Sequence, residues 1–69
     1  MKRQSVESSN LRSIGYDEDK EILEVEFLHG GIYQYIDVPK DEYEGLMGAD
    51  SHGKYFSANI RNNYDFIKL

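Results

Sequence analysis

The sequence predicts a small α+β domain: an antiparallel sheet of three to four strands with two short helices, in the order β-β-β-α-α-β. Three observations predict this class. A segment near the middle of the chain alternates apolar and acidic residues, as a strand with two unlike faces does. A glycine pair that follows it is typical of a hairpin. Two later segments carry apolar residues at helical spacing.

Size and composition limit what the chain can be. With 69 residues it can form one domain with a small core. It contains no cysteine, so disulfides and thiolate zinc sites are excluded, and we expect no metal or cofactor. Polar residues interrupt every apolar stretch, and no long apolar stretch follows the basic pair Lys2-Arg3. We therefore expect a cytoplasmic protein without a signal peptide or a membrane span.

The charge is negative overall and unevenly distributed. The formal net charge of −5 argues against indiscriminate binding to nucleic acid or to anionic lipid. Residues 17–50 hold eleven acidic residues and two lysines, which gives a net charge of −9. Residues 1–16 and residues 51–69 each carry +2. A weakly basic C-terminal segment therefore follows an acidic middle.

The N-terminal residues 1–9 are polar apart from Met1 and Val6. We interpret them as a flexible arm that precedes a single domain of residues 10–69. A first strand is predicted from Leu11 to Tyr16 by its period-two pattern, and the polar run after it predicts a turn.

The next predicted strand has the clearest pattern in the chain. Leu23, Val25 and Phe27 alternate with Glu24 and Glu26. Side chains alternate between the two faces of a strand, so this pattern predicts one apolar face and one wet face.

A glycine-containing turn leads from this strand into a segment rich in aromatic and β-branched residues. If residues 29–31 form the turn, Phe27 lies opposite Tyr33 and Val25 opposite Tyr35, and both tyrosines face the core. A two-residue turn made by the two glycines would move the tyrosines to the other face. We favour the first arrangement.

Two helices and a last strand complete the prediction. Pro39 ends the preceding strand and can begin a helix, since the first helical turn needs no N–H from it. Ser51 is a favourable N-cap for a second helix. Phe56 and Ile60, one turn apart, indicate the buried side of that helix. Residues 64–69 are predicted to form the final strand.

Two groups of residues suggest binding to nucleic acid or phosphate. Tyr33 and Tyr35 lie on one face of one strand, where adjacent aromatic rings can stack unpaired bases. The alternative is that both are core residues whose hydroxyls reach the rim of the sheet.

The second group lies at the start of the second helix. Ser51, Gly53 and Lys54 stand where free N–H groups and the helix dipole favour an anion. Arg61 is seven residues beyond Lys54, so it shares the same helix face and would be a second phosphate contact. The alternative is an ordinary capped, solvated helix.

No residue pattern indicates a metal site or a catalytic site. Asp17, Asp19 and Glu21 have the alternate spacing of a calcium loop but lack its turn glycine and its distant glutamate. His52 stands beside Ser51, but no third group is evident to orient a nucleophile and its base. We therefore expect that the protein is not an enzyme.

An ordered set of motifs along residues 5–69 resembles a known family. The set comprises Ser8-Ser9, Gly15-Tyr16-Asp17, Leu23-x-Val25-x-Phe27, Gly31, Tyr33-x-Tyr35, Val38-Pro39, Tyr43, Ala49-x-Ser51-x-Gly53-x-Tyr55-Phe56, Ile60-Arg61 and Tyr64. It is similar to the KTSC domain, which is named for its occurrence at the C-terminus of some lysyl-tRNA synthetases. The resemblance implies a stand-alone copy of a domain without an established activity, for which RNA binding has been suggested from its attachment to a synthetase.

Two hypotheses of function follow. The first is a module that binds RNA or single-stranded nucleic acid through Tyr33, Tyr35, Ser51, Gly53, Lys54 and Arg61. The second is a protein-interaction module that offers an acidic surface to a basic partner, or an exposed strand edge to another strand. Tyrosines exposed beside the basic helix would favour the first, and buried tyrosines with an acidic outer sheet would favour the second.

Overall fold

The computed structural model describes all 69 residues and has the predicted α+β class, with one more strand than the predicted order contains. All five strands lie in one antiparallel sheet in the order β1-β2-β3-β4-β5, and both helices lie between β4 and β5 in the chain. No helix is long and apolar enough to cross a membrane. The elements are β1 Arg3–Ser5, β2 Leu11–Asp17, β3 Ile22–Phe27, β4 Gly31–Tyr35, α1 Lys40–Gly48, α2 His52–Asn59 and β5 Phe66–Lys68.

The core lies between one face of the sheet and the two helices. Nine apolar side chains form it, and each is at most 4% exposed. The sheet contributes alternate residues of its central strands, and the helices contribute the predicted positions Phe56 and Ile60 together with Leu46. The members are Leu11, Ile14, Leu23, Val25, Tyr35, Val38, Leu46, Phe56 and Ile60.

The N-terminal segment differs from the expected flexible arm, because Arg3–Ser5 forms the edge strand β1 and pairs with Ser13–Gly15 of β2. All three residues of β1 are exposed, so no apolar pattern marks the strand in the sequence. Polar contacts of a side chain, rather than apolar packing, attach β1 to the rest of the sheet. The Arg3 guanidinium donates to Ser13 Oγ over 2.9 Å and forms an ion pair with Glu24.

The β3–β4 hairpin confirms the predicted face of the tyrosines but corrects their partners. Residues 28–30 form the turn, so Val25 lies opposite Tyr33 and Leu23 opposite Tyr35. The shift of two residues arises because Gly31 pairs with Phe27 as the first residue of β4, rather than belonging to the turn. Gly31 has φ 85°, a conformation that glycine adopts without strain.

The outer face of the sheet is polar, but the expectation that it is wet is wrong at Glu24. This carboxylate is only 6% exposed, since Arg3 from β1 covers it and Gln34 Nε2 donates to it over 2.8 Å. Burial by itself would raise the pKa of Glu24, but the hydrogen bonds from Gln34 and Arg3 outweigh it, and the pKa is lowered.

The helices begin where the sequence predicts. Pro39 is the residue before α1, and the Ser51 hydroxyl caps α2 by accepting from the Lys54 N–H. The last strand is shorter than the predicted 64–69, because Tyr64 packs on α1 and its hydroxyl donates to Glu42.

A carboxylate between two tyrosine hydroxyls joins the helices. Tyr55 donates to one Glu42 oxygen over 2.7 Å, and Tyr64 donates to the other over 3.1 Å. The Tyr55 ring reaches Glu42 by passing over Gly45, where an added Cβ would lie 2.8 Å from the ring carbon Cζ. Glycine at position 45 therefore makes this arrangement possible.

We expect Gly45→Ala to lower the free energy of unfolding by about 1–2 kcal/mol, although alanine favours helix, because the Tyr55 ring must move and its bond to Glu42 is lost. Urea denaturation measures the change. Gly48→Ala, in the same helix with no atom within 4 Å of the added Cβ, is the matched control. It should leave stability unchanged or raise it by up to about 1 kcal/mol. Equal effects of the two substitutions would contradict the packing account.

The buried Glu24 predicts a loss of stability in acid. The pKa of Glu24 is lower in the folded protein than in the unfolded chain. Its contribution to the free energy of unfolding is therefore complete above the ordinary glutamate pKa of about 4.3, and it is lost as the pH falls through the folded-state pKa. Glu24→Gln should cost about 1–3 kcal/mol at pH 7 and much less in strong acid. Denaturation at several pH values measures this, with the exposed Glu44→Gln as control. Parallel pH profiles for wild type and Glu24→Gln would refute the assignment.

Candidate ligand-binding groove

The surface has one groove, with a volume of about 670 Å³, at the end of the sheet that carries the β3–β4 turn. Its walls come from the start of β2, from that turn, from α2 and from the segment leading into β5. The fourteen lining residues are Ser9, Asn10, Leu11, Phe27, His29, Gly30, Tyr33, Tyr35, Gly53, Phe56, Ser57, Arg61, Asn62 and Phe66.

Five aromatic rings form the floor of the groove. Phe27 meets Tyr33 edge-on at 5.3 Å between ring centroids, and Phe56 meets Tyr35 edge-on at 5.2 Å. Phe66 of β5 lies 5.5 Å from each tyrosine ring and is 54% exposed. Phe66 and the half-buried Tyr33 therefore offer aromatic surface to a ligand, whereas Tyr35 and Phe56 are buried in the core.

Tyr35 lines the groove as a buried residue. The residue is 4% exposed, and its hydroxyl makes no hydrogen bond within the protein. That oxygen is not fully enclosed, since no buried side-chain polar atom lacks a partner. Burial raises the pKa of Tyr35, and the positive charge of Arg61 partly opposes the rise. The lining of the groove thus includes Arg61 and a tyrosine whose hydroxyl has no hydrogen-bond partner within the protein.

The groove has no acidic lining residue, although the protein carries a net charge of −5. Arg61 is exposed and takes part in none of the three ion pairs, and His29 is exposed on the turn. Acidic residues cluster in the β2–β3 turn, where the ion pair between Lys40 and Glu18 joins the start of α1 to the turn over 3.0 Å. No residue of that turn lines the groove.

The structure brings together only part of the predicted binding set. Tyr33, Tyr35, Gly53 and Arg61 line the groove, whereas Ser51 and Lys54 do not. The Ser51 hydroxyl is engaged in capping α2.

Gly53 serves packing in this arrangement. A Cβ at position 53 would lie 3.3 Å from the Asn10 side chain and 3.4 Å from the Ser8 hydroxyl, so the close approach there is made by the N-terminal segment.

Sequence reasoning missed Phe66, His29 and Asn10 as groove residues. Phe66 pairs with Tyr35 across the β4–β5 ladder, a contact between distant parts of the chain that no local pattern reveals. Asn10 precedes β2 and lies beside Gly53, again through a long-range contact. The one signal in the sequence was the presence of an aromatic residue, Phe66, near the C-terminus.

His52 has a structural contact. Its Nδ1 lies 2.8 Å from the Leu46 carbonyl oxygen, and because a carbonyl only accepts, the ring nitrogen donates. The bond ties the start of α2 to α1. No group of three or more His, Asp or Glu side chains is placed to hold a metal ion.

The chain is a small α+β domain with a single antiparallel sheet, and comparison with known proteins identifies its family. A family model described as the KTSC domain matches residues 7–64. The chain therefore belongs to the KTSC domain family. The crystal structure of a KTSC domain protein from Yersinia pestis has the same fold, with a TM-score of 0.97 at 40% identity over 99% of this chain and 96% of that chain.

Relatives in sequence are of two kinds. An uncharacterised protein of Stutzerimonas stutzeri (strain A1501) is 49% identical over 57 residues, which are 83% of this chain and 80% of that protein. A lysine–tRNA ligase of Nostoc punctiforme is 32% identical over 63 residues, 91% of this chain but only 11% of the ligase. The similarity to the ligase thus concerns a small part of that enzyme.

Proposed function

We propose that this protein binds RNA or another single-stranded nucleic acid in the groove, without a chemical step. The observation that carries the proposal is the lining itself: aromatic surface and an unpaired guanidinium in a groove that holds no carboxylate. Single-stranded nucleic acid is recognised by aromatic stacking together with cationic contacts to phosphate. The similarity to part of a lysine–tRNA ligase is consistent with this class of ligand.

The groove assigns the roles differently from the sequence pattern. Phe66 and Tyr33 would stack a base, because Phe66 is 54% exposed and the half-buried Tyr33 ring lies 5.5 Å from it. The Tyr35 hydroxyl and Arg61 would hold a phosphate as donors. Lys54, outside the groove, would contribute through its charge alone.

We expect Arg61→Gln to weaken the binding of a fluorescently labelled single-stranded RNA by about tenfold, because a hydrogen bond to a charged group contributes ~1.5 kcal/mol. Fluorescence anisotropy at low salt measures the dissociation constants. Lys20→Gln is the matched control: it removes the same charge from the β2–β3 turn, where the lysine side chain makes no ion pair.

Three outcomes are informative. A loss confined to Arg61→Gln supports the groove. A loss of affinity of about tenfold in Lys54→Gln, with none in Arg61→Gln, would instead place the binding site at the N-terminus of α2. Equal affinities of wild type and all three variants, or affinity indifferent to salt, would contradict the proposal.

A second candidate function is self-association through β5. This strand is an edge of the sheet. Its central residue Ile67 is 52% exposed, and Leu69, which follows the strand, is 64% exposed. Edge strands with exposed apolar residues accept a further strand, here from a second copy of the chain.

Sedimentation velocity over a range of concentrations tests this candidate. We expect a dimer that Ile67→Lys abolishes, since a lysine on an edge strand opposes pairing. The exposed Ala58→Lys, on α2 and outside the groove, adds the same charge and should leave the dimer intact. A wild-type protein that stays monomeric at millimolar concentration would rule the candidate out.

A further inference from the structure

We infer that the groove holds one nucleotide unit, either a free mononucleotide or the end of a strand, and not a tract of successive bases. The inference rests on the proposed binding of nucleic acid and specifies its ligand. Three properties of the groove support it: its size, its number of phosphate contacts and its accessible aromatic surface.

The size is that of a small-ligand site. A volume of about 670 Å³ lies within the range of roughly 300–1,000 Å³ that pockets for small molecules occupy. Domains that bind a strand along its length use a positively charged groove that tracks about 4–16 nucleotides. The present groove is a single depression on a molecule whose extents are 28 × 23 × 23 Å.

The phosphate contacts number one. Arg61 is the single arginine or lysine in the lining, and Tyr35, which also lines the groove, has a hydroxyl without a partner in the protein. A second phosphate along a strand would need another cation in line with Arg61. Lys68 is not a lining residue of the groove, although its Nζ lies 5.8 Å from the centre of the Tyr33 ring.

The aromatic surface also suffices for one base. Phe66 is the floor ring that is more than half exposed, and it lies against both tyrosines. Tyr35 and Phe56 are too deeply buried to offer a ring face. A strand that continued past the groove toward the opposite end of β3 would meet the acidic turn and the first turn of α1, which carries Asp41 and Glu42.

The test compares adenosine, AMP and a ten-nucleotide oligoadenylate RNA by isothermal titration calorimetry at low salt. We expect AMP to bind within about tenfold of the decamer, because one nucleotide unit of the decamer occupies the groove and the rest of the strand adds no further contact. The salt dependence of decamer binding should correspond to one phosphate, a slope of about −0.7. Adenosine, which has no phosphate, should bind more weakly than AMP.

Variants locate the contact. Tyr35→Phe removes only the hydroxyl and keeps the core ring, and it should weaken AMP and the decamer by the same factor, about tenfold. Arg61→Gln should do likewise, and Lys20→Gln should change neither affinity. Thermal denaturation of each variant checks that the fold is intact.

The outcomes separate this inference from the proposed function. A decamer that binds while AMP does not, or with a salt slope of several phosphates, would overturn the single-unit inference and leave nucleic-acid binding standing. Equal affinity for adenosine and AMP would reject the phosphate contact at Tyr35 and Arg61. No binding of any of the three ligands would overturn both.

Discussion

The three-residue turn at 28–30 between β3 and β4 decides which side chains this protein can offer to a ligand. With Gly31 opposite Phe27, the strand register places Val25 against Tyr33 and Leu23 against Tyr35 on the face that the helices cover. A register shifted by one residue would send both tyrosines to the outer face with Glu24, turn Gln34 toward the core, and remove the floor of the groove. Core and groove therefore depend on the same pairing.

The charges are unevenly distributed over the surface. No carboxylate lines the groove, whereas the β2–β3 turn is acidic and is tied to the start of α1 by the Lys40–Glu18 ion pair. An anion in the groove therefore meets Arg61 and no lining carboxylate, even though the protein is negative overall. The polar outer face makes a separate contribution, because Glu24 is neutralised by Arg3 and holds the edge strand β1 on the sheet.

Local patterns in the sequence were sufficient for most of the fold. Alternation predicted β3 and the face of Tyr33 and Tyr35, and Pro39 and Ser51 marked both helix starts. Strand β1 was missed, since an exposed three-residue strand has no apolar pattern and depends on a partner 21 positions away. The burial of Glu24 was missed for the same reason.

The candidate site was less predictable than the fold. Tyr33, Tyr35 and Arg61 were identified because aromatic and basic residues are informative by type, but their roles depend on depth, which sequence does not encode locally. Tyr35 lies in the core, which agrees with the alternative that the tyrosines are core residues, whereas Tyr33 is only half-buried. Phe66 enters the groove through the pairing of β4 with β5, which closes over a separation of 31 residues.

The claim that the groove is the binding site is tested most directly by mapping amide NMR shifts while a mixed-sequence single-stranded RNA is added at low and moderate salt. If RNA binds in the groove, we expect shifts concentrated at Tyr33, Tyr35, Arg61 and Phe66, with smaller shifts as salt increases. Shifts confined to residues 51–54 or to the outer face of the sheet, or no shifts at millimolar RNA, would contradict it.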